Sequence, residues 1–394
     1  MDSKNILFTS TTPFHPLRGG VGRVTDILCR ELIKRGHNVY YLHLTWYKDD
    51  RKQFSYPAPV TILPSEDITD NQNILFYHNF LRSNNINIII NQDGLFNTSQ
   101  LFLNIPLDYH IKTVSVMHND PVLQYNHLWN FIGLLKENTY IEKLKRTARY
   151  FLYFKIKLKL KKKLTKHYKF INKNSDYIVV LSNRYIKTLS NLQIHFTKPI
   201  ISIPNPNTYE NITTIPPKRF EILYVGRLSK EKAVLKLIKI WRNIYRKYPN
   251  WELTIVGDGP ERNSIVSYTE QNHIDRITFT GFENPRPFYE RASIFCMTSL
   301  YEGFPMTLTE SMQFGCVPVA FNSFEAVNDI IIPKQNGELV PSYSVSKYIQ
   351  TLENLISDDE YRHKLSMNAF SSVKKFDVNK IINIWEELLI KNGF

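Results

Sequence analysis

Cysteine and glycine are both sparse in this 394-residue chain, at 3 and 14 copies. Cys29, Cys296 and Cys316 stand alone in unrelated contexts, so neither a disulfide framework nor a thiolate zinc site is encoded, and a reducing compartment is implied. Long apolar runs are missing too: nothing approaches the roughly 18 residues that a membrane-spanning helix requires. The opening Met1-Asp2-Ser3-Lys4-Asn5 lacks the pattern of a secretory leader, which makes the cytoplasm the expected location.

What the chain has in quantity is apolar mass and positive charge. Hydrophobic residues make up 43% and aromatics 13%, and 394 residues exceed what one core ordinarily serves. Two domains are expected, 1–200 and 201–375, with a last segment, 376–394, packing back toward the first. The formal net charge is +14, and twelve Lys or Arg with no acid lie between Lys143 and Lys169. That face calls for an anionic partner.

Ile6–Ser10, Asn38–Leu44, Ile86–Ile90, Thr113–Met117 and Tyr177–Leu181 read as short buried strands. Between the first two, Val24, Ile27, Leu28 and Leu32 fall at helical spacing and Gly36 stops the pattern, which predicts a β-α-β unit. Pro199, Pro204, Pro206, Pro216 and Pro217 then mark a stretch with little helix potential, a candidate boundary. Strands resume at Phe220–Val225, Trp251–Val256, Ile277–Thr280, Ile294–Met297 and Val317–Phe321, and Asn379–Ile390 reads as an amphipathic helix. This alternation predicts α/β domains with parallel sheets, in which ligands sit beyond the carboxyl ends of the strands.

Two of those ends carry chemistry. Gly226-Arg227-Leu228-Ser229-Lys230-Glu231-Lys232 follows one strand, and Glu302-Gly303-Phe304-Pro305-Met306-Thr307-Leu308-Thr309-Glu310 follows another. Pro305 suits a first helical residue and Gly315 a helix end. Backbone N–H groups between Gly303 and Met306 would then face out of the helix start, where free donors and the helix dipole favour phosphate. Arg227, with a planar fork, and Lys232, with a point charge, would close the other side of a diphosphate. Glu310 lies too far along the helix to cap it, but its carboxylate can accept two hydroxyl hydrogen bonds, which suits a ribose diol. In the first half, Gly19-Gly20 permits a close backbone approach to a ligand, and His118 ends a buried strand.

In order, Gly226-Arg227-Leu228 with Lys232, Ile255-Val256-Gly257-Asp258-Gly259-Pro260-Glu261, Gly281-Phe282, Tyr289 with Ala292, and the Glu-x7-Glu segment closed by Gly315-Cys316-Val317-Pro318-Val319 resemble the retaining glycosyltransferases of family 4. The likeness runs from Gly19-Gly20 to about Val340 and so covers most of the chain. It implies a GT-B fold, with two Rossmann-like domains facing each other across a cleft, the acceptor on the first and a UDP- or GDP-sugar on the second. It also implies sugar transfer to a glycan acceptor, lipid-linked, in bacterial surface polysaccharide or lipopolysaccharide biosynthesis. By the same resemblance Arg227 and Lys232 hold the diphosphate, Glu310 holds the ribose, and Glu302 with the amides of Gly303 and Phe304 lies at the donor sugar. Gly19 and Gly20 approach the phosphates, and His118 matches the active-site histidine. Ala233 departs from the family's usual glycine, and Asn119 intrudes where an acid often follows the histidine. Neither metal nor other cofactor is expected, because Arg227, Lys232 and the helix-start amides can carry the leaving-group charge and no Asp-x-Asp pair occurs.

Within the basic stretch, Leu144, Ala148, Leu152, Ile156, Leu160, Leu164 and Tyr168 recur at four-residue steps, which predicts a helix, and Tyr150, Phe151, Tyr153 and Phe154 interleave with lysines. Such a helix suits an anionic membrane surface, at about a kcal/mol per basic residue near the lipid. Lys155, Lys159, Lys161, Lys162 and Lys163 are the candidate contacts, which would put the protein peripherally at the inner face of the cell membrane. No nucleic-acid motif accompanies them, and nucleic acid is not an expected partner. Two other readings remain open: a sugar-nucleotide-binding protein without turnover, and a membrane or nucleic-acid scaffold that uses the basic segment.

Overall fold

Thirteen strands form two parallel sheets in the computed structural model, which describes residues 3–47, 54–133 and 140–390. The first sheet holds β1 (Asn5–Ser10), β2 (Asn38–His43), β3 (Val60–Ile62), β4 (Ile88–Asn91), β5 (Lys112–Met117), β6 (Tyr177–Val180) and β7 (Ile200–Ser202), in the order β3-β2-β1-β4-β5-β6-β7. The second holds β8 (Arg219–Val225), β9 (Glu252–Val256), β10 (Ile277–Gly281), β11 (Ala292–Met297), β12 (Val317–Asn322) and β13 (Glu338–Pro341), in the order β10-β9-β8-β11-β12-β13. Each sheet belongs to its own compact unit. One comprises the chain up to Pro206 together with the segment from Val378 onward; the other runs from Asn207 to Asp377. Both are Rossmann-like α/β domains, the expected fold class.

The central strands read clearly because they are covered on both faces: Ile88-Ile89-Ile90 and Ile178-Val179-Val180 are fully buried. Three strands escaped the periodicity. Val60–Ile62 and Ile200–Ser202 are three residues each and lie at opposite edges of their sheet beside prolines, and Glu338–Pro341 is an edge strand holding an acid and a proline. In the first sheet the strand order reverses between β1 and β4, and in the second between β8 and β11. Loops leaving those four strands are therefore the ones best placed for ligands.

In the second unit, helix Val234–Ile244 buries Leu237, Ile238, Trp241 and Ile244 in a core shared with Leu253 and Ile255. The indole of Trp241 still finds a partner, donating from Nε1 to the Asp275 carbonyl at 3.1 Å. In the first unit Tyr77 is likewise fully buried among Leu7, Leu42 and Phe102, with its hydroxyl donating to the Phe102 carbonyl at 2.6 Å.

Helix Val378–Ile390 belongs to the first unit and buries Ile381, Ile382, Trp385, Leu388 and Leu389. Arg35 pairs with its Glu386 and donates to Asn383 Oδ1 at 2.6 Å. Lys112 Nζ donates to the Leu389 carbonyl at 2.9 Å, a cation placed where the helix dipole is negative.

The basic stretch folds as two helices, Tyr140–Phe151 and Tyr153–Asn174, rather than one. Leu152 separates them, and Trp129 packs on both sides of the break, its ring 4.4 Å from Tyr150 and 5.8 Å from Tyr153. The longer helix is stitched to strand-end loops: Tyr168 donates to the Pro121 carbonyl at 2.5 Å, and His167 Nε2 donates to the Gly94 carbonyl at 2.8 Å. Among the described residues no helix is long and apolar enough to cross a membrane.

Arg35→Ala removes a largely buried ion pair and a hydrogen bond to the closing helix. It is expected to cost about 1–3 kcal/mol, read as a lower urea midpoint; an unchanged midpoint would show that other contacts hold the helix.

Candidate functional site

The loops after β8 and β9 are joined through backbone groups. Gly226 N donates to the Val256 carbonyl at 3.0 Å, Leu228 N to Asp258 at 2.9 Å, and Glu261 N to Leu228 at 2.9 Å. Such closeness leaves no room for side chains: a Cβ at Gly257, where φ is +139°, would lie 2.0 Å from the Gly226 carbonyl oxygen. Gly257-Asp258-Gly259 thus braces the loop that carries Arg227. After a 3-10 turn at Lys230–Lys232, Ala233 adopts a left-handed conformation (φ 50°, ψ 38°) and opens helix Val234–Ile244. A non-glycine residue there costs about 1–2 kcal/mol, which accounts for glycine being the family's usual choice.

The loop after β11 grips this turn from the other side. Leu300 N donates to the Glu231 carbonyl at 2.7 Å, and Thr298 Oγ1 to the Lys232 carbonyl at 3.1 Å. Most consequential, Lys232 Nζ lies 2.5 Å from Glu302 Oε1, an oxygen that also accepts from Ser299 Oγ at 2.7 Å. The sequence reading assigned Lys232 and Glu302 separately; the structure joins them at the reversal point between β8 and β11. Arg227 is exposed, and its guanidinium has no partner among the described residues.

Gly303, Phe304, Pro305 and Met306 are buried, and Phe304 meets Phe376 edge-on at 5.2 Å. The helix here runs Met306–Gln313, so Pro305, with ψ at 106°, precedes the first helical residue instead of being it. Glu310 lies wholly inside. Its Oε1 accepts from Thr208 Oγ1 at 2.5 Å and its Oε2 from the Tyr289 hydroxyl at 2.9 Å, with Tyr289 stacked on Phe314. A carboxylate oxygen can accept twice, so each of these contacts uses one of its acceptor positions. Neither Thr208 nor the stacked tyrosine was foreseen as Glu310's support.

In the first unit Gly19 and Gly20 are exposed at the start of helix Gly20–Lys34, and nothing stands within 4 Å of a Cβ built at Gly19. The chain's own packing needs a different glycine: a Cβ at Gly22 would lie 2.4 Å from the His15 carbonyl oxygen. His118 follows β5, and its Nε2 lies 2.5 Å from Gln92 Oε1. Burial pushes its pKa down to about 4, so the ring is neutral at pH 7. Asn119 Oδ1 accepts from Asp120 N, and Asp120 Oδ1 from Val122 N, both at 2.8 Å, so these two side chains shape the turn.

Of the basic side chains, Lys155, Lys159, Lys162 and Lys163 are exposed, whereas Lys161 reaches Gln193 Oε1 at 3.4 Å. Phe151, Phe154 and Leu158 stand beside them, 85%, 78% and 63% exposed. Among the described residues, no three His, Cys, Asp or Glu side chains come together in a way that could hold a metal ion.

Residues 18–206 match the family described as Glycosyltransferase Family 4, and residues 207–372 match Glycosyl transferases group 1. The chain belongs to the family-4-like glycosyltransferases. An uncharacterized glycosyltransferase of Haemophilus influenzae is 33% identical over 198 residues, covering 49% of this chain and 56% of the relative. The GalNAc-alpha-(1->4)-GalNAc-alpha-(1->3)-diNAcBac-PP-undecaprenol alpha-1,4-N-acetyl-D-galactosaminyltransferase of Campylobacter jejuni is 27% identical over 176 residues, 44% of this chain and 49% of that one. The chain thus spans about half the length of the curated relatives it matches. The structure of Anabaena Alr3699/HepE in complex with UDP and glucose aligns with a TM-score of 0.71 at 15% identity, covering 98% of this chain and 99% of that chain, and shares the fold. Solved glycosyltransferases of this kind bear out the GT-B fold class.

In this family-4-like transferase, Gly22→Ala is expected to lose about 1–3 kcal/mol of stability through the clash with His15. Gly19→Ala should melt like the parent. Equal melting of both variants would show that the helix start yields freely.

Proposed function

We propose that this chain transfers a sugar, with retention of anomeric configuration, from a UDP- or GDP-sugar to a lipid-linked glycan acceptor in bacterial surface polysaccharide or lipopolysaccharide synthesis. The observation that carries this reading is the Lys232–Glu302 pair at the reversal point of the second sheet, beside the unpartnered Arg227. Support for UDP comes from its presence in the Anabaena structure, and support for a lipid-linked acceptor from the undecaprenol in the Campylobacter relative's name.

Breaking the anomeric bond places negative charge on the departing diphosphate, and Arg227 with Lys232 supplies the compensating charge without a metal ion. An arriving diphosphate competes with Glu302 for the Lys232 ammonium. Glu302, released, accepts from a hydroxyl of the transferred sugar. The neutral imidazole of His118 hydrogen-bonds a sugar hydroxyl and so holds the reacting carbon in line. Gly19 and Gly20 leave room for phosphate, and Glu310, held by Thr208 and Tyr289, positions the ribose.

The exposed lysines of helix Tyr153–Asn174, with Phe154 and Leu158 among them and Phe151 at the end of the preceding helix, dock on an anionic bilayer and bring the enzyme to its acceptor at the inner face of the membrane.

Calorimetry with UDP and GDP tests the donor site. Lys232→Ala should weaken binding by about 1.5–3 kcal/mol, since it removes a charge-assisted contact. Glu302→Gln should do the reverse for the bare nucleotide, binding it several-fold tighter while transfer is lost; equal affinity in both variants would place the diphosphate elsewhere. Transfer should survive chelator. Changing Lys155, Lys159, Lys162 and Lys163 to Gln should reduce binding to phosphatidylglycerol vesicles by about a kcal/mol per charge lost near the surface. Undiminished vesicle binding would remove the membrane from the account.

A further inference from the structure

Gln92 leaves β4 at the reversal point of the first sheet, and its backbone is fixed on every side. Its own N–H donates to the Thr9 carbonyl at 2.9 Å. The next residue, Asp93, accepts from Thr11 N at 2.6 Å and from Thr98 Oγ1 at 2.7 Å. Gly94 N donates to the Val116 carbonyl at 3.1 Å, and a Cβ at Gly94 would lie 2.5 Å from that oxygen. A side chain rising from so constrained a segment has little freedom of direction. It is 3% exposed and ends with its carbonyl oxygen 2.5 Å from His118 Nε2.

We infer that Gln92 is the positioning residue for His118: its Oε1 holds the imidazole in the Nε2–H tautomer, so that Nδ1 presents a lone pair to the substrate. An amide oxygen can only accept, so the proton of that hydrogen bond belongs to Nε2. The neutral ring has one proton, which leaves Nδ1 bare, and Nδ1 has no partner among the described residues. Gln92 Nε2 is buried and likewise without a partner. Buried donors are costly to leave unmade, and one kept open at the carboxyl end of a central strand calls for a substrate oxygen. Bare imine nitrogen and amide N–H together match a hydroxyl, which donates to one kind of group and accepts from the other.

This inference rests on the reading that His118 touches the sugar, but its first test does not. Nitrogen-15 NMR of the full chain labelled at histidine should show His118 as the Nε2–H tautomer. Gln92→Met, of similar length and without an acceptor, should give a mixture of tautomers. Gln92→Glu, which keeps an acceptor and lacks the amide donor, should restore the Nε2–H form. Turnover is followed as UDP released from whichever UDP-sugar gives the largest thermal shift. Gln92→Met should lower kcat at least tenfold while UDP affinity, measured calorimetrically, stays at the parent value. An Nδ1–H tautomer in the parent, or a Met variant that changes neither tautomer nor kcat, overturns the assignment. So does a Met variant with mixed tautomers and full kcat. His118→Ala with undiminished turnover would instead sink the role given to His118, while leaving the tautomer result to stand.

Discussion

The Lys232–Glu302 ion pair ties together the two loops at the point where the second sheet reverses its strand order. Everything else at the second unit's reversal point follows from that contact. Lys232 is presented by a turn held between the β9 loop, through backbone hydrogen bonds, and the β11 loop, through Thr298 and Leu300. Glu302 is held by Ser299. Both partners are thus fixed by contacts within the unit. The pair also keeps a partly buried carboxylate from lying uncompensated beside Tyr224 and the sheet.

The backbone zipper explains the use of glycine in a chain that has few. Gly226, Gly257 and Gly259 each carry positive φ; a methyl group at Gly257 or Gly259 would collide with the backbone of the neighbouring loop at Gly226 or Leu228, and one at Gly226 would meet the Tyr224 hydroxyl at 2.9 Å. They bring the loops after β8 and β9 into backbone contact, which braces the single segment that carries both Arg227 and Lys232. Ala233 keeps the left-handed conformation without glycine, and its carbonyl lies 3.3 Å from Thr298 Oγ1, whose one proton it shares with the Lys232 carbonyl.

Most of the sheet was legible because its inner strands are unbroken apolar runs, and because Gly36 and Gly315 end helices as glycine commonly does. Three of the four edge strands were not, being three or four residues long with prolines nearby, whereas the longer edge strand β10 was. Leu152 interrupts the basic helix although leucine is a strong helix former; Trp129, more than twenty positions earlier, packs at the break, and no local pattern shows it. The donor-site residues were readable as types in order, yet the Lys232–Glu302 contact spans 70 positions and the support of Glu310 by Thr208 spans 102. Gln92 had only the polar run Asn91-Gln92-Asp93-Gly94 to announce it, and such runs after buried strands are common. Sequence spacing indicates which residue types share a strand end; which of them touch is a matter of tertiary packing.

The closing helix sets an order of events during synthesis. Everything the first unit needs is made by Pro206 except the piece from Val378, which emerges after the whole second unit. At about 5–20 residues per second, roughly 170 residues take about ten to thirty-five seconds. Throughout that interval the bed that receives Ile381 and Trp385 stays uncovered, and Arg35 waits for Glu386. The second unit is continuous in the chain and can mature on the ribosome, so the nascent protein passes through a stage in which its later half is finished and its earlier half is not.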